Sequence, residues 1–332
     1  MMNLPLLTDT FGRTLSYLRI SVTDRCNFRC VYCLPPEGIP LLPGKDILSF
    51  EEILRISSLY LKMGGERIRL TGGEPLLRRN IVDLVSGLSR LPGLKDFSLT
   101  TNGYYLEDFA GSLKEAGLQR VNISLDSLYP DRLAQLTSCR EFKKIWRGIE
   151  KALDMGLRTK INVVALNGLK KEEIIAFGWM AKKYPLEVRF IEFMPLCGTG
   201  WHPEWVLPLY RVKEVVERHF SLKSLPRRRE VAESYEIQDG RGRIGFIASM
   251  TEPFCHDCSR LRLTSDGKLR PCLFSNIEVD LKTQMRRGAT DETLKGLLSR
   301  AVFLKPMGHG IGDVHHSSVD PQALPSIRFV GG

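Results

Sequence analysis

Six of the eight cysteines fall into two tight groups: Cys26, Cys30 and Cys33 near the start, and Cys255, Cys258 and Cys272 near the end. Close spacing in a reducing compartment points to metal or redox chemistry rather than to disulfides. Three thiolates on one short loop can hold three irons of a cubane and leave the fourth open to a chelating cofactor, unlike a four-cysteine electron carrier. Structural zinc would need a fourth ligand, and the first loop contains no His. The second group is again three thiols, without the second CxxC pair of a zinc ribbon. His256 sits inside its x-x gap, an awkward place for chelation. Cys139 and Cys197 stand alone and read as packed or inert thiols.

Between the last cysteines runs Ser259-Arg260-Leu261-Arg262-Leu263. Alternation on an extended segment puts Arg260 and Arg262 on one face. Two guanidinium forks side by side suit a triphosphate or a purine edge, and a solvated strand face is the alternative. Gly72-Gly73 alone reads as a tight turn; beside a cysteine loop it reads as part of a site. The Arg227–Arg229 run beside Pro226 reads as a solvated loop, and His309, His315 and His316 as members of a polar tail.

These residues need a scaffold. The chain has 332 residues, 43% hydrophobic and 26% charged, the profile of a folded enzyme. No apolar run approaches a membrane span, and the N-terminus reads as neither a secretory signal nor a presequence, so a cytoplasmic protein is expected. A net charge of +10 favours an anionic partner, with a solvated basic surface as the bland alternative.

Strand-like and helix-like stretches alternate up to about residue 195. Strands are expected at Leu18–Val22, Arg67–Leu70, Phe97–Thr101, Val121–Leu125, Lys160–Leu166 and Val188–Phe193. Helices are expected between them, the first opened by a capping box from Ser49 to Glu52. Six βα units without a Gly-rich loop after the first strand predict an α/β fold, an incomplete (βα)6 TIM-type barrel, with its chemistry at the C-terminal strand ends. The cysteine loop, Thr71–Pro75, Thr100–Gly103, Ser124, Asp126, Glu192 and Met194 all fall there. Two regions are expected: 1–195, the barrel, and 196–332, an irregular α+β extension carrying the second cysteine group and an extended tail.

The cysteine loop together with Gly72-Gly73-Glu74-Pro75 resembles the radical S-adenosylmethionine superfamily. The order of Leu-Thr-Gly-Gly-Glu-Pro, Thr-Thr-Asn-Gly, Arg189-Phe-Ile-Glu-Phe-Met194 and the C-terminal cysteines resembles the GTP 3′,8-cyclase family of molybdenum cofactor biosynthesis over the whole chain. The resemblance implies two 4Fe–4S clusters, held by Cys26, Cys30 and Cys33 and by Cys255, Cys258 and Cys272. It implies S-adenosylmethionine bound by Tyr32, Gly73, Ser124 and Met194, and GTP bound by Arg19, Arg69, Thr100, Lys160, Arg260 and Arg262, with Arg189 added. It further implies a Gly331-Gly332 tail needed for turnover, a homodimer, an electron donor and a downstream cyclic pyranopterin monophosphate synthase, with no membrane or nucleic-acid partner. Two features depart from the family: Ser259 where many relatives carry Asn, and the segment from His309 to Pro325.

Overall fold

The computed structural model describes residues 7–33, 38, 40–196, 199, 201–226 and 231–308. Cys197, Arg227–Arg229, the three tail histidines and Gly331-Gly332 lie outside the described residues.

Six parallel strands form the frame: β1 Tyr17–Ser21, β2 Arg67–Thr71, β3 Asp96–Thr101, β4 Arg120–Ser124, β5 Arg158–Ala165 and β6 Leu186–Glu192. Between them lie α1 Phe50–Lys62, α2 Ile81–Ser89, α3 Leu106–Glu115, α4 Pro130–Thr137, α5 Phe142–Asp154 and α6 Lys171–Lys183. The capping box at α1 is present, with Ser49 accepting from the Glu52 amide and Glu52 accepting from the Ser49 amide. The α4 helix was not expected; it begins at Pro130, whose fixed φ suits a first helical turn.

The strands explain the sheet's character. One set of alternating residues, Leu18, Ile20, Ile68, Leu70, Leu99, Val121 and Ile161 among them, belongs to the buried core packed under the helices. The other set, including Arg19, Arg69, Thr100, Arg120, Lys160 and Arg189, lines a cavity of about 830 Å³. Strands of a parallel sheet covered on both faces usually read as continuous apolar runs. Here polar residues alternate with apolar ones because the inner face borders a cavity instead of a filled core.

The second region does more than follow the barrel. After α7 Leu209–Glu217 come β7 Leu222–Ser224, β8 Glu233–Ile237, β9 Arg243–Ile247, β10 Arg260–Leu263, β11 Lys268–Arg270 and β12 Val279–Asp280, then α8 Lys282–Arg286 and α9 Asp291–Phe303. One twelve-stranded sheet results, in the order β12-β11-β10-β1-β2-β3-β4-β5-β6-β9-β8-β7. Both β9 and β10 join parallel to the six-stranded frame, on β6 and β1 respectively. The expected extension therefore adds strands to both edges of the frame, so its residues reach the same interior.

Candidate functional site

Strand register assembles the basic side of the cavity. Arg19 of β1 is paired with Arg69 on β2 and with Arg262 on β10, which puts three arginines in one row across three strands. Tyr17 lies one inward-facing position earlier, in a row with Arg67 and Arg260. Burial and then Arg262 press the Arg19 guanidinium down to about 9. Burial and then Arg260 do the same to Arg262, to about 9. Among the described residues neither Arg19 nor Arg69 has a carboxylate partner. The Tyr17 hydroxyl, Arg19 Nε, Arg69 Nε and Thr100 Oγ1 are buried with no hydrogen-bond partner. Unsatisfied buried donors are costly, and four of them lining one cavity mark a place built for a polar, anionic ligand.

Farther around the barrel the cations are already paired. Glu187 lies 2.8 Å from Lys160 Nζ and 2.7 Å from Arg189 Nε. Burial opposes ionisation of Glu187, but Arg189 and then Lys160 outweigh it and hold the carboxyl at about 2. Arg120 pairs with Asp96 at 2.6 Å.

The opposite side of the cavity is the cysteine loop. Cys26, Cys30 and Cys33 all line it, with Tyr32, Gly73, Ser124 and Met194. The loop is pinned from outside by α4: the Arg29 and Val31 amides donate to the Thr137 and Leu136 carbonyls at 2.9 and 3.0 Å. From within, the Tyr32 hydroxyl donates to Asp126, whose other oxygen accepts from the Val164 amide at 2.9 Å. Burial raises the Cys30 thiol well above its usual range, and Cys33, Asp126 and Cys26 raise it further. Thiols crowded on one half-buried loop resist ionisation because their thiolates would repel, a repulsion that a bound cation would relieve.

Glu74 ties the neighbouring loops to this one. Its carboxylate accepts from Thr101 Oγ1 at 2.8 Å, from the Asn102 amide at 2.7 Å and from the Leu76 amide at 3.0 Å. Asn102 Nδ2 then donates to Asn27 of the cysteine loop at 2.8 Å. The two glycines before Glu74 have a packing reason. A Cβ on Gly73 would stand 2.2 Å from the Arg25 carbonyl oxygen, and one on Gly72, at φ +147°, would stand 2.5 Å from that of Thr23. Only glycine lets this turn press against the cysteine loop's own backbone.

The second cysteine group adjoins the arginine row, with Cys258 next to Arg260. Burial opposes ionisation of Cys258, but Arg260 and then Lys305 overcome it and bring the thiol down to about 5, the thiolate form that binds metals. Lys305 is buried and donates to the Arg260 and Pro271 carbonyls at 2.9 and 2.5 Å. His256 is exposed and stands 3.2 Å from Asp257, away from any ligand role. Ser259, the departure from the family pattern, accepts from Arg67 Nη2 at 2.9 Å. No three His, Cys, Asp or Glu side chains among the described residues converge where a single ion could sit. Each thiolate of a cubane binds its own iron, so three thiols on the Cys26–Cys33 loop suit the donor chemistry of a 4Fe–4S cluster.

The seventeen predicted binding and ligating residues within the described part thus sort into a cysteine side, an arginine side and a second cysteine group next to it. Met194 lies two residues beyond β6 and packs with Leu196, Leu273 and Phe274. Glu192 is spent structurally: its carboxylate accepts from the Met250 and Thr251 amides at 2.8 and 2.9 Å. Sequence reasoning missed Tyr17, Arg120 and Glu187, although each shares an alternation phase with a residue it singled out.

Comparison with known proteins agrees with this geometry. The Radical SAM superfamily model matches residues 20–177, and the Molybdenum Cofactor Synthesis C model matches 186–311. The GTP 3′,8-cyclase of Moorella thermoacetica is 46% identical over 91% of this chain and 95% of its own length. That of Thermodesulfovibrio yellowstonii is 44% identical, with the same coverage. Mouse molybdenum cofactor biosynthesis protein 1 is 43% identical over 98% of this chain, which spans 52% of that longer protein. Among solved structures, Streptococcus suis SuiB bound to S-adenosylmethionine has the same fold, with TM-score 0.56 and 15% identity over 86% of this chain and 71% of that one. The chain belongs to the GTP 3′,8-cyclase family of the radical S-adenosylmethionine enzymes.

Proposed function

We propose that this enzyme converts GTP to (8S)-3′,8-cyclo-7,8-dihydroguanosine 5′-triphosphate, the first step of molybdenum cofactor biosynthesis. The observation that carries the reading is one cavity with three cysteines on one side and unpartnered buried donors of Tyr17, Arg19, Arg69 and Thr100 on the other.

Cys26, Cys30 and Cys33 would hold the first 4Fe–4S cluster, and Tyr32, Gly73, Ser124 and Met194 the S-adenosylmethionine. When bound, that pair supplies a 5′-deoxyadenosyl radical able to take hydrogen from an unactivated carbon. On the substrate, C3′ of the ribose loses a hydrogen atom and joins C8 of guanine; the ring-nitrogen radical left by closure takes one electron and one proton. The chain's own residues position the nucleotide. Arg19, Arg69 and Arg262 face the triphosphate, Thr100 donates a further hydrogen bond, and Lys160 and Arg189 are released from Glu187 as phosphate displaces it. Cys255, Cys258 and Cys272 would hold a second cluster beside Arg260, which would supply a Lewis-acidic group for the base of the nucleotide. The division near residue 195 follows the same logic, with the first region starting the radical and the second holding the base. The Gly331-Gly332 tail, the homodimer, the electron donor and the downstream synthase enter this reading from the family, and a cytoplasmic site from the sequence.

The test is anaerobic reconstitution with iron and sulfide, followed by reductant, S-adenosylmethionine and GTP. Formation of 5′-deoxyadenosine that depends on GTP is expected. Formation indifferent to GTP would assign a different radical substrate.

A further inference from the structure

Tyr17 was absent from the sequence-derived site, yet its ring stands against three arginines of the cluster. Its side chain is buried, with the residue 7% exposed. Three guanidiniums stand around its ring: Arg67 at 5.0 Å, Arg69 at 5.3 Å and Arg19 at 5.6 Å from the centroid. An electron-rich ring face attracts cations, so one phenyl ring here holds three like charges close together. The hydroxyl lies within the cavity lining with the Ser98 hydroxyl as its polar neighbour, and it makes no hydrogen bond of good geometry among the described residues. A buried phenol normally finds a partner, and Phe would supply the same ring without that cost.

We propose that Tyr17 is a triphosphate-binding residue: its ring gathers Arg19, Arg67 and Arg69, and its hydroxyl donates to a phosphate oxygen of the nucleotide. The proposal rests on GTP being the substrate. The ring and the hydroxyl act on the same ligand group, since the guanidiniums around the ring are the anion's natural counterions. The charged neighbours facing the phenol are Arg19 on its own strand, Arg67 and Arg69 on β2, Arg120 on β4 and Arg260 on β10, with the Ser98 hydroxyl on β3. All the charged ones are cations. Burial would raise the phenol, but Arg69, Arg19 and Arg120 outweigh it and bring it down to about 8. Above that pH a phenolate would face the phosphate, unable to donate and carrying like charge.

The experiment measures binding of GTP and of inorganic tripolyphosphate to the reconstituted enzyme, by calorimetry, for wild type and Tyr17→Phe. Losing a hydrogen bond to a charged group is expected to weaken both ligands by about tenfold or more. S-adenosylmethionine binding and melting temperature should hold, because the ring is retained. Wild-type affinity for tripolyphosphate should also fall above about pH 8, more steeply than that of Tyr17→Phe. Undiminished affinity in Tyr17→Phe would overturn the proposal, as would a loss seen with GTP alone, which would place the hydroxyl on the ribose or base. Failure of wild-type enzyme to bind GTP at all would instead overturn the substrate reading. If Tyr17→Phe melts early, Tyr17→Trp keeps an aromatic face without the phenol, and the same two-ligand comparison decides.

Discussion

Arg13, near the beginning of the chain, donates from Nη1 to the backbone carbonyl of Cys255 at 2.7 Å, so an N-terminal turn holds the second cysteine loop in place. The same guanidinium donates to the Pro306 and Met307 carbonyls at 2.7 and 2.8 Å and pairs with buried Asp9 at 2.6 Å. One side chain thereby joins three distant segments. A planar fork with five donors can do this; an ammonium cannot.

Replacing Arg13 with Ala strands Asp9 as a buried, unpaired charge. Breaking such a pair by removing one partner costs about 3–5 kcal/mol. Denaturant unfolding should show a loss of that order, and iron analysis should show depletion at the second cysteine group first. Arg13→Lys should recover part of the stability through its charge but not the three-way tether.

The cysteine groups should separate in function. Cys30→Ser is expected to lose iron and abolish S-adenosylmethionine cleavage. Cys258→Ser is expected to lose a comparable share of iron while keeping some cleavage, because its thiolate lies on the far side of the arginines. Cys139, buried in the core away from both groups, should tolerate Ser with unchanged iron content. Iron-to-protein ratios and 5′-deoxyadenosine yields check all three.

Arg19→Ala removes a cation whose register partners are Arg69 and Arg262. Charge-assisted hydrogen bonds contribute about 1.5–3 kcal/mol, so GTP affinity should fall roughly 10- to 100-fold. Affinity for S-adenosylmethionine should stay within about twofold, since Arg19 lies on the other side of the cavity. Equal losses for both ligands would mean a general disturbance of the fold.

Glu187 gives a pH signature. Its carboxyl is held at about 2 in the fold against an ordinary 4.5. A depressed acid contributes stability that is complete above its unfolded value and is lost as pH falls from about 4.5 toward 2. Wild-type protein should therefore lose on the order of 3 kcal/mol more than Glu187→Gln across that window. The same substitution removes the Glu187 charge from beside Lys160 and Arg189 and should tighten tripolyphosphate binding at neutral pH. Denaturant titrations at several pH values and calorimetry test the two halves.

Much of this architecture was legible locally. Strand-like runs at Leu18–Val22, Arg67–Leu70 and Lys160–Leu166 and the alternation of Val121–Leu125 marked strands, and the Ser49–Glu52 box marked a helix start, because these patterns are complete within a few residues. The pairing of β10 with β1 was not legible, since nothing within Arg260–Leu263 says which edge it will join. That pairing brings Arg262 beside Arg19, so the arginine row depends on contacts about 240 residues apart in sequence. Tyr17 and Glu187 were missed for a related reason. An aromatic at a strand start reads as core, and a lone carboxylate reads as surface, until register shows what surrounds them. The sequence read the glycine pair as part of the site, and the structure adds a packing reason, its close approach to Thr23 and Arg25.

The most direct test uses GTP carrying deuterium at C3′ in an anaerobic turnover with S-adenosylmethionine and reductant. The account predicts that the deuterium appears in 5′-deoxyadenosine, and that Cys30→Ser yields none. Unlabelled 5′-deoxyadenosine from wild-type enzyme consuming that substrate would contradict it, because the hydrogen would then have come from another position.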